Sequence, residues 1–284
     1  MTSTAGADSE IVVVDNSSVD GSPEAVQSQF RHVTLIRNSA NVGFAAACNQ
    51  GIKSTAAPLI LLLNSDALIS PEALEELVRV MESTPRCGAA GCRVTDSTGA
   101  ASVNARNFLN PFNQVVELIG LSSILPFRFL TRSYRPILDS GLLDCRADWI
   151  DGACLLLRRA ALDDAGLFDE RFFMYSEDED LCYRLRQKGW SICYTGRTNV
   201  QHRGGASASH DKSANLRRFY ESQLLFLAKY QGRRAVRWYL DGMLLAAALK
   251  GIWYSLLLEP KRKAELDERT CALKTAVTVL DGDL

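Results

Sequence analysis

The chain has 284 residues, of which 47% are hydrophobic and 23% are charged, and its formal net charge is −1. This composition is typical of a globular protein, and the length allows one large domain or one domain with an appendage. The balanced charge leaves no basic footprint, so we expect no nucleic acid among the partners of the protein. Residues 1–9 are small and polar, so we expect no secretory signal there.

Apolar runs alternate with segments of helical character through the first part of the chain. The predicted elements are a strand at 10–14, a helix from Ser22, a strand at 32–36, a helix at 44–53, a strand at 59–63, a helix that Ser70 caps and that runs to Ser83, and a strand at 87–94. Strands and helices that alternate at this spacing are typical of βα units. We therefore predict an α/β fold with a mostly parallel central sheet and flanking helices.

The later part of the chain is less regular at first and then becomes helical. We interpret residues 101–144 as a long insertion with some helix that faces the substrate. The predicted elements that follow are a strand at 149–158, a helix at 159–165, a helix that begins at a Ser176–Glu179 capping box and ends at Gly189, and short strands at 191–194 and 198–202. A shift in composition predicts two domains, one at 1–205 and a C-terminal helical extension at 206–284.

The helical extension contains an apolar segment, Leu240 to Leu258. Asp241 and Lys250 lie within it, so we expect an interfacial or core helix rather than a membrane span. The basic run at 260–263 suits an anionic membrane surface, and it is equally consistent with a solvated charge run. Eight scattered cysteines show no CxxC or zinc spacing, so we predict reduced thiols and a cytoplasmic protein.

Asn64-Ser65-Asp66 directly follows the apolar run Leu59 to Leu63. A buried strand that ends in this way places a carboxylate at the carboxyl edge of a sheet, where open α/β sheets bind ligands. Asp66 there is a candidate ligand for Mg²⁺ or Mn²⁺, which neutralises charge on a leaving diphosphate. The alternative interpretation is a simple turn, because Asn and Asp commonly end strands.

A second acidic group, Glu177 to Asp180, lies in the first turn of a predicted helix. The helix dipole stabilises acidic side chains there, which is a complete structural explanation. Four consecutive acids exceed what capping needs, however, and mutual repulsion raises the pKa of one of them. Such a carboxylate suits a general base that takes a proton from an attacking hydroxyl.

Two further polar residues follow predicted strands. His202 precedes two glycines that allow close approach of a ligand, so its imidazole is a candidate for completing a metal site. A lone histidine is more often structural. Asp15 is placed to hydrogen-bond a nucleoside or, equally well, to cap its own turn.

Seven segments, in order, resemble the inverting family 2 glycosyltransferases with the GT-A nucleotide-diphospho-sugar transferase fold, and particularly their rhamnosyltransferase-like branch. They are Ile11 to Ser22, Asn41 to Ala45 with Asn49 and Gly51, Leu63 to Asp66, Gly152 to Arg159, Gly166 to Glu170, Phe173 to Arg184 and Val200 to His202. Members of the family begin with a further strand and helix ahead of the strand at 10–14. This sequence shows neither, which predicts weaker nucleotide binding and lower stability.

The resemblance implies roles at individual positions. Donor contacts are implied for Asp15, Asn16, Asn41, Gly43 and Asn64. Asp66, in a degenerate DxD motif, and His202 would hold Mg²⁺ or Mn²⁺. In the Glu177-Asp178 pair, Asp178 would be the base, and the acceptor would lie near Trp149, Asp151 and Gly152.

Three functions are compared on this basis. The first is a glycosyltransferase that uses a nucleoside-diphosphate sugar such as dTDP-rhamnose and a glycan or polyprenyl-diphosphate-linked acceptor, held peripherally at the inner face of the cell membrane. The second is a non-catalytic sugar- or partner-binding protein with the same fold. The third, a nucleotidyltransferase, is disfavoured because the glycine-rich basic loop near the N-terminus of such enzymes is absent.

Overall fold

The computed structural model describes residues 9–102, 104–120, 143–144, 147–202 and 212–280. The chain divides into two compact units. The first unit comprises Met1–Arg106 and Pro136–Ala206, and the second comprises Asn107–Arg135 and Ser207–Leu284. Much of the insertion predicted at 101–144 lies outside the described residues.

The first unit contains strands and helices in alternation, as the sequence predicts for its first half. Its strands are β1 Val12–Asp15, β2 Thr34–Arg37, β3 Leu59–Leu63, β4 Ala67–Leu68, β5 Cys87–Thr95, β6 Ala101–Ser102, β7 Ala105–Arg106, β8 Leu143–Asp144, β9 Trp149–Ile150, β10 Cys154–Arg158 and β11 Ser191–His202. Its helices are α1 Ser22–Gln29, α2 Phe44–Lys53, α3 Pro71–Ser83, α5 Arg159–Ala165 and α6 Glu177–Gln187. The second unit holds α4 Pro111–Ile119, α7 Lys212–Leu256 and α8 Pro260–Leu280.

A seven-stranded sheet with the path β3-β10-β5-β11-β4 forms the centre of the first unit. The α/β class is confirmed, but the expected mostly parallel sheet is corrected to a mixed one. The β5–β11 pairing is parallel, whereas β10 runs antiparallel to both β3 and β5. The sequence does not distinguish the two directions, because β10 is an apolar run buried along nearly its whole length, and such a run suits a parallel or an antiparallel strand equally well.

The strands β1 and β2 form a separate parallel ladder. Among the described residues, no ladder joins this pair to the seven-stranded sheet. Side chains of β1 and of β3 are correspondingly only partly buried, apart from Asp15 and Ile60. A strand that lacks a neighbour on one side leaves its backbone donors and acceptors without ladder partners.

The core of the first unit lies between the sheet and α3. An apolar face of α3, formed by Leu77, Val80 and Met81, packs against β5 and β10. Ser70 caps this helix by accepting a hydrogen bond from the backbone N–H of Ala73 at 3.2 Å, as predicted for that segment. The rigid sheet fixes the strand ends from which the polar residues project.

The predicted capping box at Ser176 is wrong. Ser176 does precede α6, but its φ of 57° is left-handed and its side chain makes no capping hydrogen bond. The carboxylate of Asp178 instead accepts the backbone N–H of Glu179 at 2.8 Å. The side chain expected to act chemically therefore also satisfies a donor of the first turn.

Within the described part of the second unit, α4 and α8 both pack on α7. Gly242 of α7 lies against Val115 of α4, where an added Cβ would come within 2.8 Å of the Val115 side chain. Lys250 donates to the carbonyl of Leu118 at 2.7 Å, which satisfies an acceptor near the end of α4. Across the described ranges, no helix is long and apolar enough to cross a membrane.

The cysteines in the described residues are free thiols, as expected. Five of them are buried, and these are Cys87, Cys92, Cys154, Cys182 and Cys193. Cys145 lies outside the described residues.

Candidate functional site

The end of β3 and the start of β10 lie side by side in the antiparallel ladder. Leu63 pairs with Cys154, so the turn after β3 and the segment before β10 meet at one edge of the sheet. The backbone N–H of Asn64 donates to the carbonyl of Ala153 at 3.1 Å. Two sequence-predicted groups, 64–66 and 151–152, are thereby placed next to each other.

Asp66 and His202 are in direct contact. The strand β4 pairs with the end of β11, with Ala67 opposite His202, and this brings the two side chains together. Asp66 Oδ1 lies 3.0 Å from His202 Nε2, and the Asn64 amide nitrogen lies 3.4 Å from the same ring atom. Both side chains of the Asp66–His202 pair keep some exposure, at 18% and 24%, so a ligand can reach them.

The number and type of these side chains indicate what kind of divalent cation site they can form. One carboxylate and one imidazole are too few to enclose a metal, and the described residues contain no group of three acidic, histidine or cysteine side chains that could hold one. A cation that binds nucleotide phosphates takes one or two protein ligands and completes its shell with phosphate oxygens and water. Asp66 and His202 fit a shared site of that kind.

Asp178 is buried and held by two backbone donors. Its Oδ2 accepts the N–H of Gly152 at 2.9 Å, and its Oδ1 accepts the N–H of Glu179 at 2.8 Å. Gly152 packs against the ring of Phe44, which lies 3.3 Å from the position of an added Cβ. The Asp178 carboxylate is therefore fixed to the same segment that pairs with the Asn64 turn.

Burial perturbs three neighbouring carboxyl groups in the same direction. Burial raises the pKa of Asp178 to about 6, against the opposing effect of hydrogen bonds from Glu179 and Gly152. Burial and the Asp178 charge raise the pKa of Asp151 to about 7 and hold the pKa of Glu177 well above its ordinary value. Within the described residues, Asp151 Oδ1 and Glu177 Oε2 have no hydrogen-bond partner. The site therefore holds carboxyl groups that exchange protons near neutral pH.

Two polar residues that the sequence analysis did not single out support this group. Arg106 lowers the pKa of both Asp151 and Asp178 by its charge. The carbonyl of Asn104 accepts the N–H of Asp151 at 3.0 Å, while the Asn104 side chain donates to the Cys92 carbonyl at 2.7 Å. Neither residue belongs to a recognisable motif, so only the pairing of β7 with β9 could have indicated them.

The four acids of α6 divide into different roles. Asp180 is fully buried and forms an ion pair with Arg184 at 2.9 Å. Arg184 also donates to three carbonyls, those of Ala165, Gly166 and Leu167. Asp180 thus anchors α6 to the loop after α5, a structural role that was not predicted for the acidic run, while Asp178 faces the 151–152 segment.

The residues predicted to contact the donor form a network of turns around the end of β1. Asp15 Oδ1 accepts the N–H of Ser18 at 3.2 Å, and Asn16 donates to the Gly43 carbonyl at 3.1 Å. Asn41 accepts the Gly43 N–H at 3.0 Å. Gly43 has a φ of 88°, and an added Cβ would lie 2.5 Å from the Phe173 carbonyl oxygen, so a side chain there is excluded. These contacts fix the loops around the end of β1. They are contacts within the chain and not contacts with a sugar-nucleotide donor.

Trp149 lies in β9 opposite Arg106 and is buried. The Arg106 guanidinium lies 5.5 Å from the centre of the indole ring. This cation–π contact orients Arg106, the residue whose charge acts on Asp151 and Asp178. The predicted acceptor-side residues Trp149, Asp151 and Gly152 are thus brought together with the predicted base.

The chain is similar to known glycosyltransferases. The family model of glycosyl transferase family 2 matches residues 3–135. The chain is 30% identical over 273 residues to an N-acetylglucosaminyl-diphospho-decaprenol L-rhamnosyltransferase of Mycobacterium tuberculosis, across 91% of this chain and 88% of the relative. It is 27% identical over 223 residues to a low-salt glycan biosynthesis hexosyltransferase of Haloferax volcanii, across 77% of this chain and 64% of that protein.

One solved structure shows the same fold. A mannosyltransferase from Pyrobaculum calidifontis, solved in complex with GDP-Man and Mn²⁺, superposes with a TM-score of 0.54 and 16% identity. The match covers 95% of this chain and 76% of that chain. A likeness at this identity shows the fold, which is the GT-A fold implied by the sequence motifs. Taken with the family model and a relative of 30% identity along nearly all of both chains, it shows that the chain belongs to glycosyl transferase family 2.

Proposed function

We propose that the protein is an inverting glycosyltransferase that moves a sugar from a nucleoside-diphosphate donor to a polyprenyl-diphosphate-linked or glycan acceptor. L-rhamnose is the first candidate sugar, because the Mycobacterium tuberculosis relative is named an L-rhamnosyltransferase acting on N-acetylglucosaminyl-diphospho-decaprenol. Residues 1–205 would form the transferase domain, and residues 206–284 would form a helical segment. The product would enter cell-wall or polysaccharide biosynthesis.

The observation that carries this proposal is the position of the Asp178 carboxylate. Asp178 is buried, its pKa is raised to about 6, and it is bonded to the Gly152 N–H beside the Asn64 turn. A general base works best when its pKa lies near the working pH and its position is fixed. Asp178 meets both conditions, and Asp66, which contacts His202, lies two residues beyond Asn64 in the turn after β3.

In the proposed step, Asp178 takes the proton from the acceptor hydroxyl. The hydroxyl oxygen forms a bond to the anomeric carbon from the face opposite the diphosphate. The bond between that carbon and the diphosphate oxygen breaks, and the diphosphate leaves with the electron pair. A single displacement of this kind inverts the configuration at the anomeric carbon. Beside the base, burial and the Asp178 charge hold the pKa of Glu177 well above its ordinary value.

Asp66 and His202 would hold Mg²⁺ or Mn²⁺ between them and the donor diphosphate. The cation supplies Lewis-acid stabilisation of the negative charge that grows on the leaving group. The carboxylate and the imidazole supply oxygen and nitrogen ligands in a partly exposed position, which leaves coordination positions open to phosphate.

The loops around β1 and β9 would bind the two substrates. Asp15 and Asn16, with the turn formed by Asn41 and Gly43, would shape the nucleoside pocket. Trp149 and the 151–152 segment would face the acceptor. The protein would work in the cytoplasm at the inner face of the cell membrane, because a polyprenyl-linked acceptor lies there.

A transfer assay tests the proposal directly. The purified chain is incubated with Mn²⁺, dTDP-rhamnose and N-acetylglucosaminyl-diphospho-polyprenol, and UDP- and GDP-sugars are run in parallel. We expect a product with inverted anomeric configuration and release of one nucleoside diphosphate per sugar transferred. Removal of the cation with EDTA should stop the reaction, and added Mn²⁺ should restore it. A retained configuration would contradict the direct displacement by a hydroxyl.

A second candidate function is a non-catalytic protein that binds sugar nucleotides or a partner. The separate β1–β2 ladder favours it, because these strands carry the proposed nucleoside loop without sheet support from β3. Calorimetry with UDP and dTDP in the presence of Mn²⁺ separates the two functions. Metal-dependent binding together with transfer supports the enzyme, and metal-dependent binding without transfer to any acceptor supports the binding protein.

A further inference from the structure

The second half of α7 exposes a row of large apolar side chains, which the exposed Asp241 interrupts between Trp238 and Leu245. They recur at intervals of three, four and seven residues, which places them along one side of the helix. This α7 stripe consists of Trp238, Leu245, Leu249, Ile252, Trp253 and Leu256. Leu245 is 63% exposed and Leu256 is 72% exposed, so the stripe is not part of a core.

The other sides of α7 are covered within the same unit. Tyr239, Met243 and Ala246 are buried, and Gly242 packs against Val115 of α4. The helix α8 contributes its own buried face to the contact with α7. The described residues therefore leave most of the stripe uncovered, although Trp238 at its start stacks on Phe112 of α4 with the ring centres 6.4 Å apart. Exposed apolar patches mark binding surfaces.

Both ends of the α7 stripe are basic. Arg233, Arg234 and Arg237 precede Trp238, and the run at 261–263 follows Leu256 at the start of α8. Arg262 pairs with Glu259 at 3.0 Å. The other members of the two basic groups are exposed and form no ion pair within the part of the chain that the structure describes.

A groove of about 420 Å³ between α7 and α8 borders the stripe. Its α7 wall includes Leu244 and Ile252, and Ile252 also belongs to the stripe. Its α8 wall includes Lys263, Asp267 and Lys274, which follow one another at helical intervals on one face. The groove thus joins an apolar wall to a wall with two lysines and one aspartate.

We propose that the α7 stripe is a membrane-binding face that enters the headgroup layer of an anionic bilayer. Tryptophan prefers this layer, and an apolar helix face flanked by basic residues binds anionic lipid by area and by charge. Lys261, Lys263 and Lys274 would contact lipid phosphates at the border of the stripe. This inference rests on the proposed function in one respect: membrane binding would bring the transferase to a lipid-linked acceptor.

The charge pattern favours a bilayer over a second copy of the chain. In a two-fold dimer, the stripe of one copy would face the stripe of the other. Because both ends of the stripe are basic, parallel and antiparallel arrangements both bring like charges together. An anionic lipid surface complements both ends at once.

Vesicle flotation tests the surface with matched variants. The full chain is mixed with vesicles of phosphatidylcholine alone or with added phosphatidylglycerol, at low and high salt. We expect binding at least roughly tenfold tighter to the anionic vesicles, with loss at high salt. The Leu249→Asp/Ile252→Asp variant should lose binding to both, while Val19→Asp, at a fully exposed site of the first unit, should bind like wild type.

A second pair of variants separates charge from apolar contact. Lys261→Gln/Lys263→Gln should lower the preference for anionic vesicles by roughly tenfold. Lys53→Gln/Lys188→Gln, which removes two exposed lysines from the first unit, should leave that preference unchanged. Circular dichroism confirms that each variant keeps the helical content of wild type.

Quenching by brominated lipid locates the contact. Trp253 is 59% exposed in the stripe, whereas Trp190 lies in the first unit beneath Arg86. Because Trp238 also lies in the stripe, Trp238→Phe/Trp253→Phe should remove most of the quenching by brominated anionic vesicles, and Trp190→Phe should leave it unchanged. Equal quenching in both variants would overturn the assignment of the surface.

The inference and the proposed function fail in different ways. Nucleotide binding with Mn²⁺ should be the same in wild type and in Leu249→Asp/Ile252→Asp, because the substitutions lie in the second unit. Absence of vesicle binding would overturn the membrane surface, whatever the activity. A dimer in size-exclusion chromatography that the stripe variant dissociates would assign the surface to a second copy instead. Vesicle binding without nucleotide binding would overturn the proposed function alone.

Discussion

Globular proteins usually expose their acidic side chains and bury their large apolar ones, and each unit of this chain departs from one of these tendencies. The first unit buries acidic side chains, and all six that are buried among the described residues belong to it: Asp15, Glu76, Glu177, Asp178, Glu179 and Asp180. The second unit exposes apolar side chains, and it carries ten of the thirteen large apolar residues exposed within the described ranges. Apart from Asp15 and Glu76, the buried acids lie in the first turn of α6, and most of the exposed apolar residues of the second unit lie in the second half of α7 or directly after it.

The comparison shows that the first unit loses stability at its buried acids and the second unit loses solubility at its exposed apolar residues. A buried carboxylate costs free energy unless it is paired, and in the first unit Asp180 is paired with Arg184 while Asp151 and Glu177 each keep an unpaired oxygen. An exposed apolar stripe favours association in water. Exceptions of both kinds are typical of functional sites. Substitution of these residues tests whether the buried acids and the exposed apolar side chains are needed for function.

The largest effect is expected from Asp178→Asn. The amide keeps the shape of the side chain but is a far weaker base, so we expect transfer to fall by about three orders of magnitude. The measurement is the initial rate of nucleoside-diphosphate release at saturating substrates. The amide nitrogen cannot accept one of the two backbone N–H groups that the carboxylate accepts, so we expect a modest fall in the thermal unfolding midpoint with the fold retained. Near-normal turnover in this variant would remove Asp178 from the mechanism.

A smaller effect is expected at the cation site. Asp66→Ala removes the carboxylate, and His202→Ala removes the imidazole at 3.0 Å from it. We expect the Mn²⁺ concentration for half-maximal rate to rise about tenfold to a hundredfold in each variant. Glu72→Ala, an exposed acid in the first turn of α3, is the matched control. If both site variants kept the Mn²⁺ requirement of wild type, the cation site would have to be assigned to other residues.

The pH dependence of the rate tests the environment of the base. Asp178 must be ionised to accept a proton, and its pKa is raised to about 6. The rate should therefore fall about tenfold per pH unit below that value. Arg106 lowers this pKa by its charge, so Arg106→Leu should move the acidic limb to higher pH. If the acidic limb of the pH–rate profile stayed at the same pH in Arg106→Leu, Arg106 would have no influence on the pKa of the reacting carboxylate.

The smallest effect is expected on stability, from Asp151→Asn. The pKa of Asp151 rises from 3.8 to about 7 on folding, so the folded state binds the proton more tightly than the unfolded state. Stability is then lost as pH rises from about 4 through about 7. The variant should be more stable than wild type by about 2 kcal/mol at pH 8 and no more stable at pH 4. Urea unfolding at the two pH values provides the comparison.

The sequence predicted the elements that local signals define. The helix at 44–53 and the helix at 159–165 have the bounds that were predicted, and the Ser70 cap forms as expected. Asp66 and His202 were assigned to one site from motif resemblance, and the pairing of β4 with β11 brings them together. Periodicity and turn residues act within a few positions, so they can be identified in a single sequence.

The sequence did not predict what depends on long-range pairing. The direction of β10 follows from its place between β3 and β5, and its apolar residues are equally consistent with a parallel or an antiparallel strand. Asn104 and Arg106 reach the site because β7 pairs with β9. The Ser176 capping box failed because the left-handed backbone at Tyr175 and Ser176 redirects the serine side chain. No local pattern distinguishes these outcomes.

Calorimetric titration of a nucleoside diphosphate in the presence and absence of Mn²⁺ tests the central claim most directly. The claim is that one sheet edge carries a cation site at Asp66 and a separate base at Asp178. We expect dTDP or UDP to bind wild type and Asp178→Asn with Mn²⁺ and far more weakly without it, while Asp66→Ala loses the Mn²⁺ dependence. Binding that is unaffected by Mn²⁺ in wild type, or by Asp66→Ala, would contradict the account.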